Sequence, residues 1–312
     1  MIFHDTATLQ RAIDEGDFET LDSFIYPKLR QINYASTFRA ALMLSANNLK
    51  HLNKIDELGA ECIMFNLEDG VAPEQKPLAL RLCALTLSNL PKSDKKLVVR
   101  VNPLDEGGAE EIGVLNGFRP DAIRVPKVRS VTDVKNALAL VDDEIELHLS
   151  IETKEAWTAM AELAIDERVT TFYLGILDLF ADLGLPQKLI TPENPTLRYM
   201  LSHFLVTAKA AGIKPVSFVF QDYRDEEGFE RWLSLEKEMG YTAKGCLSPK
   251  QALAVQKVFG YAVEEIEKAH EIIRLFETKR AEGVTGFTHE RYGFIDEPIY
   301  KGAKALLDAA GE

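Results

Sequence analysis

Residues 145–182 read IELHLSIETKEAWTAMAELAIDERVTTFYLGILDLFAD. Two apolar runs of strand length, IELHLSIE (145–152) and VTTFYLGI (169–176), are each followed by a stretch with helical periodicity. Such alternation of strand and helix points to parallel strands joined by helical crossovers. The same unit recurs outward on both sides. RAALMLSA (39–46), ECIMFNLEDG (61–70), KLVVRVN (96–102) and DAIRVPKV (121–128) precede it, and KPVSFVFQ (214–221) and TAKGCLSP (242–249) follow. Eight units within residues 38–260 match the requirement of an α/β fold of the (β/α)8 TIM-barrel type. A doubly wound sheet is the alternative. It would more usually open on a glycine-rich turn, and neither GxGxxG nor GxxxxGK[ST] occurs.

Outside the barrel, residues 1–37 read as a mostly polar N-terminal extension. Residues 261–312 read as a C-terminal helical lid and oligomerisation segment. Within it VEEIEKAHEIIRLFETKRAEG (263–283) is an amphipathic helix, and GFIDEPIYKGAKALLDAA (293–310) a loop with a second helix. The 312 residues carry 49 acidic and 36 basic side chains, a formal charge of −13, which argues against a nucleic-acid partner. Three scattered cysteines without a CxxC argue against a disulfide framework and a thiolate zinc site. The N-terminus lacks the pattern of a signal peptide, and no apolar run is of membrane-spanning length. The expectation is a cytoplasmic protein with no membrane partner.

In a TIM barrel the chemistry lies at the C-terminal ends of the strands. Those ends supply Ser45 and Asn47, then Asn66, Glu68 and Asp69, then Arg100 and Asn102, Lys127, Glu152, Gly175 followed by Asp178, and Ser248. Several carboxylates and an arginine on one face suit a hard cation beside an anion clamp. Glu152 and Asp178 end adjacent strands and are placed to share one ion. Taken singly, Glu152 is equally a first-turn carboxylate facing a helix dipole, and Asp178 an N-cap. Arg100, inside an apolar strand, either grips a substrate carboxylate bidentately or pairs structurally with Glu68 or Asp69. Lys127 and Lys244 raise a rival Schiff-base mechanism, but the sixth strand holds no lysine.

The motifs RAALMLSANN, FNLEDGVAPEQKPLALR, VVRVN, VPKV, SIET, LGILDLFADLG and KGCLSPKQ resemble the citrate lyase β-chain-like branch of the HpcH/HpaI aldolase superfamily, which includes malyl-CoA and citramalyl-CoA lyases. The resemblance runs from about Arg39 to Phe259, with a further match near the C-terminus. It implies that Glu152 and Asp178 bind Mg²⁺, with Mn²⁺ a possible substitute. Arg100 and Glu152 would hold the substrate, with Glu68 and Asp69 supporting them from behind. Arg39, Lys76 and Arg81 match family positions near the coenzyme A entrance. GFIDEP is similar to a segment that brings an aspartate, here Asp296, over a neighbouring subunit's site in a homotrimer or homohexamer. The sequence departs from the family at LSANN after the first strand, at Asn66, at Leu247-Ser248-Pro249, and at a seventh strand without an aspartate.

The activity so implied is a Mg²⁺-dependent carbon–carbon lyase cleaving a short 3-hydroxyacyl-CoA, such as malyl-CoA or citramalyl-CoA, into a 2-oxo acid and an acyl-CoA. The metal would act as a Lewis acid, and Arg100 and Asp296 would serve as the catalytic side chains. The alternatives are a malyl-CoA-type thioesterase on the same scaffold and a citrate-lyase-like β subunit of a larger complex.

Overall fold

A computed structural model describes residues 1–26, 30–35 and 37–311. Eight parallel strands appear where the apolar runs predict them: β1 (Ala40–Ser45), β2 (Cys62–Asn66), β3 (Lys96–Arg100), β4 (Ala122–Val125), β5 (Glu146–Ile151), β6 (Val169–Leu174), β7 (Lys214–Val216) and β8 (Lys244–Cys246). Each pairs with its sequence neighbour from β1 to β7, and β8 pairs with β1. The ring closes through a single parallel bridge, Ser217 to Lys244. The result is a TIM barrel.

Several of the helices between the strands start where the sequence supplies caps. Ser130 and Asp133 form a reciprocal capping box ahead of the helix Val131–Leu140. Thr153 caps the helix that follows Glu152, accepting from the Ala156 N–H. Asn194 precedes Pro195 at the start of the helix Pro195–Ala210.

Strand residues alternate between the barrel interior and the helix layer. Phe38, Ala41, Cys62, Met64, Val98, Ala122, Tyr173, Val216 and Ala243 pack together as the interior core. Toward the N-terminal ends of the strands the filling turns polar. Lys96 Nζ lies 2.6 Å from Glu146, which also receives the Thr170 hydroxyl at 2.6 Å and stands 3.3 Å from His148 Nε2. Burial, outweighing the nearby Glu146 carboxylate, pushes the His148 pKa down to about 4.

Residues 1–37 belong to the same compact unit as the barrel, which runs to Val258. Phe3, Leu9, Leu21 and Ile32 are buried. Arg30 forms a fully buried bidentate pair with Asp121, at 2.6 and 2.9 Å, and Asp121 also accepts the Leu97 N–H. A segment read as polar is thereby tied to the strand ends β3 and β4.

The second unit comprises residues 259–312. Its helix Val263–Ala281 and terminal helix Glu297–Ala310 enclose Ala269, Ile272, Phe276, Ile295, Tyr300, Ala303 and Leu307. Where the sequence suggests only a loop between them, a hairpin forms from β9 (Gly286–His289) and β10 (Gly293–Asp296). Its strands are too short for alternation to register as a periodic signal. Among the described residues no helix is long and apolar enough to cross a membrane.

Candidate active site

The C-terminal ends of the strands open into a cavity of about 810 Å³. Polar groups converge on it from successive strands. Register places Asn66, Arg100 and Arg124 side by side on β2, β3 and β4. Partners in register share one side of the pleat, so all three side chains turn inward.

Arg100 is buried and forms an ion pair with Glu68, with Asp69 at 3.6 Å and Glu152 at 4.0 Å. Its Nε has no hydrogen-bond partner among the described residues. Burial pushes Glu68 up to about 7, against the pull of Arg100. The sequence left a clamp and a structural pair open for Arg100, and the structure shows the pair with Glu68. Glu68 holds the guanidinium in place while Arg100 also lines the cavity.

Glu152 follows β5 and is 2% exposed. One oxygen accepts the Lys127 backbone N–H at 2.8 Å. The chain turns there with Lys127 at φ +54°, a left-handed conformation that presents the amide to the carboxylate. Gly175, at the end of β6, faces Glu152 closely. A Cβ built at Gly175 would stand 2.6 Å from the Glu152 Cβ. Asp178, in the first turn of the helix Ile176–Asp182, lines the same cavity and pairs with the Lys127 ammonium, which also lies 3.8 Å from Glu152. The two carboxylates outweigh burial and raise the Lys127 pKa.

The Lys127 ammonium lies within ion-pair distance of both Glu152 and Asp178, so the two carboxylates face a common space. Oxygen donors of this kind suit a hard divalent ion that keeps waters and leaves positions for a ligand. Among the described residues no three His, Cys, Asp or Glu side chains converge as a complete ligand set, so such an ion would rest on these two.

Arg39, Lys76, Arg81 and Lys244 do not line the cavity, whereas Asn66 does. Arg39 precedes β1, at the opposite end of the barrel from the cavity, and pairs with Glu61 at 3.2 Å. Lys76 donates to Asn102 Oδ1 at 2.5 Å, and Asn102 is itself held by Glu111. Arg81 binds Asp22 at 2.9 Å and covers the Phe18 ring, anchoring the N-terminal segment. None of these three lines the cavity. Lys244 turns into the helix layer and forms a fully buried pair with Glu236 at 2.6 Å, away from the mouth where a Schiff-base lysine would have to be. Asp296 caps the terminal helix, accepting the Ile299 N–H at 3.2 Å. Asn66 donates its side-chain amide to the Asp69 carbonyl, closing a turn that an aspartate could not close in this way. Ser248 accepts the Gln251 N–H at 3.2 Å, at the start of the helix Pro249–Phe259.

The structure adds residues not singled out from sequence. Lys50, His51 and Lys54, in and just after the short helix Leu49–Leu52, line the cavity. So does Arg124, buried on β4. A charge amid the apolar residues of DAIRVPKV was the available signal for Arg124.

A family model described as HpcH/HpaI aldolase/citrate lyase matches residues 39–249. The chain belongs to this family. It is 32% identical over 250 residues to a (3S)-malyl-CoA thioesterase of Cereibacter sphaeroides, covering 80% of this chain and 86% of the relative. It is 29% identical to the mitochondrial citramalyl-CoA lyase of Mus musculus, over 87% of this chain and 86% of that one. Among solved structures, a citrate lyase from Burkholderia xenovorans superposes with a TM-score of 0.73 at 20% identity, over 88% of this chain and 91% of that one. The CitE protein of Mycobacterium tuberculosis, solved with magnesium, acetoacetate and coenzyme A, gives 0.68 at 24%, over 89% and 99%. Both likenesses support the barrel fold.

Proposed function

We propose that this family member is a Mg²⁺-dependent carbon–carbon lyase that cleaves a short 3-hydroxyacyl-CoA, of the malyl-CoA or citramalyl-CoA kind, into a 2-oxo acid and an acyl-CoA. The observation that carries the reading is the convergence of Glu152, Asp178 and Arg100 on one cavity wall. Glu152 and Asp178 would hold Mg²⁺, or Mn²⁺ in its place. The ion would supply Lewis-acid stabilisation of developing oxyanion charge.

The residues of the chain divide the remaining work. Arg100, fixed by Glu68, offers a planar donor fork to the substrate carboxylate. Lys50 and Lys54 offer positive charge to the anionic carrier, with His51 beside them in the cavity lining. Met43, Leu44, Leu174, Ile176 and Leu247 give the acyl portion an apolar wall. Cleavage removes the hydroxyl proton and breaks the adjacent carbon–carbon bond. The electron pair passes to the thioester carbonyl as an enolate, which then takes a proton on carbon. The Asp296 carboxylate of a second copy in a homotrimer or homohexamer is the proposed base.

The relative named as a thioesterase favours a second reading, in which water attacks the thioester on the same scaffold. A Mg²⁺-dependent assay over a panel of hydroxyacyl-CoAs, read by mass spectrometry, separates the two. A 2-oxo acid plus acyl-CoA supports the lyase; free hydroxy acid plus CoA supports the thioesterase. Absence of either product from the purified chain would favour the role of a citrate-lyase-like β subunit. For the shared site, Asp178→Asn chains mixed with Asp296→Ala chains regain activity on subunit exchange. No recovery despite demonstrated exchange removes Asp296 from the mechanism.

A further inference from the structure

The ring of strands has one weak join. The other neighbouring strands pair over three to five residues each, whereas β7 and β8 meet only at the Ser217–Lys244 bridge. There the Ser217 N–H donates to the Ala243 carbonyl at 2.9 Å, and the Gly245 N–H to the Ser217 carbonyl at 3.0 Å. Beyond that point, among the described residues, no backbone hydrogen bond joins residues 218–221 to residues 246–249. Yet Val219, Gln221, Leu247 and Pro249, from these two segments, line the active-site cavity. With no ladder between them, their backbone groups need partners from elsewhere.

Side chains from the helix layer supply them. Nearer the bridge, Lys244 Nζ donates to the Phe218 carbonyl at 2.8 Å and to Glu236 at 2.6 Å, and Glu236 also receives the Ser217 hydroxyl at 2.5 Å. Nearer the mouth the tie is Gln251, 4% exposed, in the first turn of the helix Pro249–Phe259. Its Oε1 accepts the Leu247 N–H at 2.7 Å, and its Nε2 donates to the Phe220 carbonyl at 3.2 Å. One carboxamide thus joins the two segments, spending its acceptor on one and a donor on the other. The Val219 side chain packs across the join, so that a Cβ built at Gly245 would stand 2.7 Å from its Cγ2. Met43, Leu44 and Leu174, on the same apolar wall, are held by continuous ladders, whereas the place of Leu247 depends on a side chain. We propose that Gln251 is a positioning residue of this cavity. By pinning Leu247 to Phe220 it fixes the wall against which the acyl portion of the substrate rests, and so sets how closely the cavity fits that portion. The proposal rests on the reading above for the identity of the substrate.

The test compares malyl-CoA with citramalyl-CoA, which differ by one methyl group on the acyl portion. Against a closely fitting apolar wall such a group changes kcat/KM by about 10–200-fold, so wild type should discriminate by at least about tenfold, in either direction. In Gln251→Met, which keeps the volume and loses both hydrogen bonds, the ratio of the two kcat/KM values should move at least about fivefold toward one. The ratio cancels the amount of active enzyme, so lost stability alone does not move it. Val134→Ala, a buried change in the helix Val131–Leu140, is the stability control and should keep the wild-type ratio. Hydrogen exchange at single-amide resolution should show the Leu247 amide protected in wild type and unprotected in Gln251→Met, with the Gly245 amide protected in both. A wild-type ratio near one, a ratio unchanged in Gln251→Met, or an equal change in Val134→Ala overturns the proposal and leaves the lyase reading in place. So does a Leu247 amide that exchanges freely in wild type. If Gln251→Met does not fold, Gln251→Asn, too short to reach both segments, is read by the same ratio. Hydrolysis in place of cleavage removes the lyase reading, and the ratio for hydrolysis then decides the proposal. Consumption of neither thioester by wild type removes both.

Discussion

Gly175→Ala isolates the contact on which the carboxylate geometry depends. Gly175 has an ordinary φ of −87°, so alanine brings no backbone penalty and the whole effect is steric. The new Cβ would stand 2.6 Å from the Glu152 Cβ. Van der Waals contact between carbons needs about 3.5 Å, so Glu152 or the backbone must give by roughly 1 Å. Glu152 has no free direction, since it is 2% exposed and its other side receives the Lys127 N–H at 2.8 Å. Overpacking of this kind costs about 1–3 kcal/mol, and loss of a hydrogen bond to a charged group about 1.5–3 kcal/mol. The expected destabilisation is therefore about 2.5–6 kcal/mol. A displacement of about 1 Å at a reacting centre lowers turnover by roughly 10²-fold. Chemical denaturation, Mg²⁺ titration by calorimetry and the cleavage assay read the three effects. Gly113→Ala is the control, because nothing lies within 4 Å of its built Cβ. If Gly175→Ala matches that control in stability, Mg²⁺ affinity and rate, the packing of Gly175 on Glu152 does not position the carboxylate.

Arg100→Lys retains charge but loses the planar fork, and turnover should fall by roughly 10²–10³-fold in a folded protein; an unchanged rate would leave Arg100 as the structural partner of Glu68. Lys127→Met removes the ammonium that spans Glu152 and Asp178. The thermal midpoint without metal should drop and the upward shift on adding Mg²⁺ should grow, so an unaltered shift would show that the ion does not replace the ammonium there. His148 is held neutral by burial, with its pKa lowered from 6.5 to about 4. The unfolded chain binds this proton first as pH falls, so stability should decline between about pH 6.5 and 4. In His148→Phe that part of the slope should vanish in denaturation curves taken across this range, and an unchanged slope would assign it to other groups.

The barrel was legible because its signal is local and repeated. Each apolar run is long enough to bury a strand and is followed by a helical pattern, in some cases with its own cap, as Ser130 and Thr153 illustrate. Glu152, Asp178 and Arg100 were legible for a related reason. In a parallel barrel, position at the end of a strand already determines which face a side chain reaches. The cavity's other polar residues were harder to find. Lys50 and His51 lie on a short helix and Lys54 just after it, a stretch whose polar pattern resembles that of any solvated turn. Arg39, Lys76 and Arg81 showed the converse, since family position alone did not disclose that Glu61, Asn102 and Asp22 engage them.

Strand order, the positions of the helices and the convergence of carboxylates with an arginine followed from the order of residue types along the chain, since burial periodicity and strand-end placement are properties of neighbouring residues. The tertiary structure alone decided which charges have partners. Arg30 and Arg100 acquired carboxylates from distant segments, Lys127 came to span two acids, and Arg124 came to meet a hydroxyl, a sulfur and a ring. Those partnerships depend on register between strands and on which side chains meet across the barrel. Coulomb energy and desolvation follow separation in space, which sequence separation does not report.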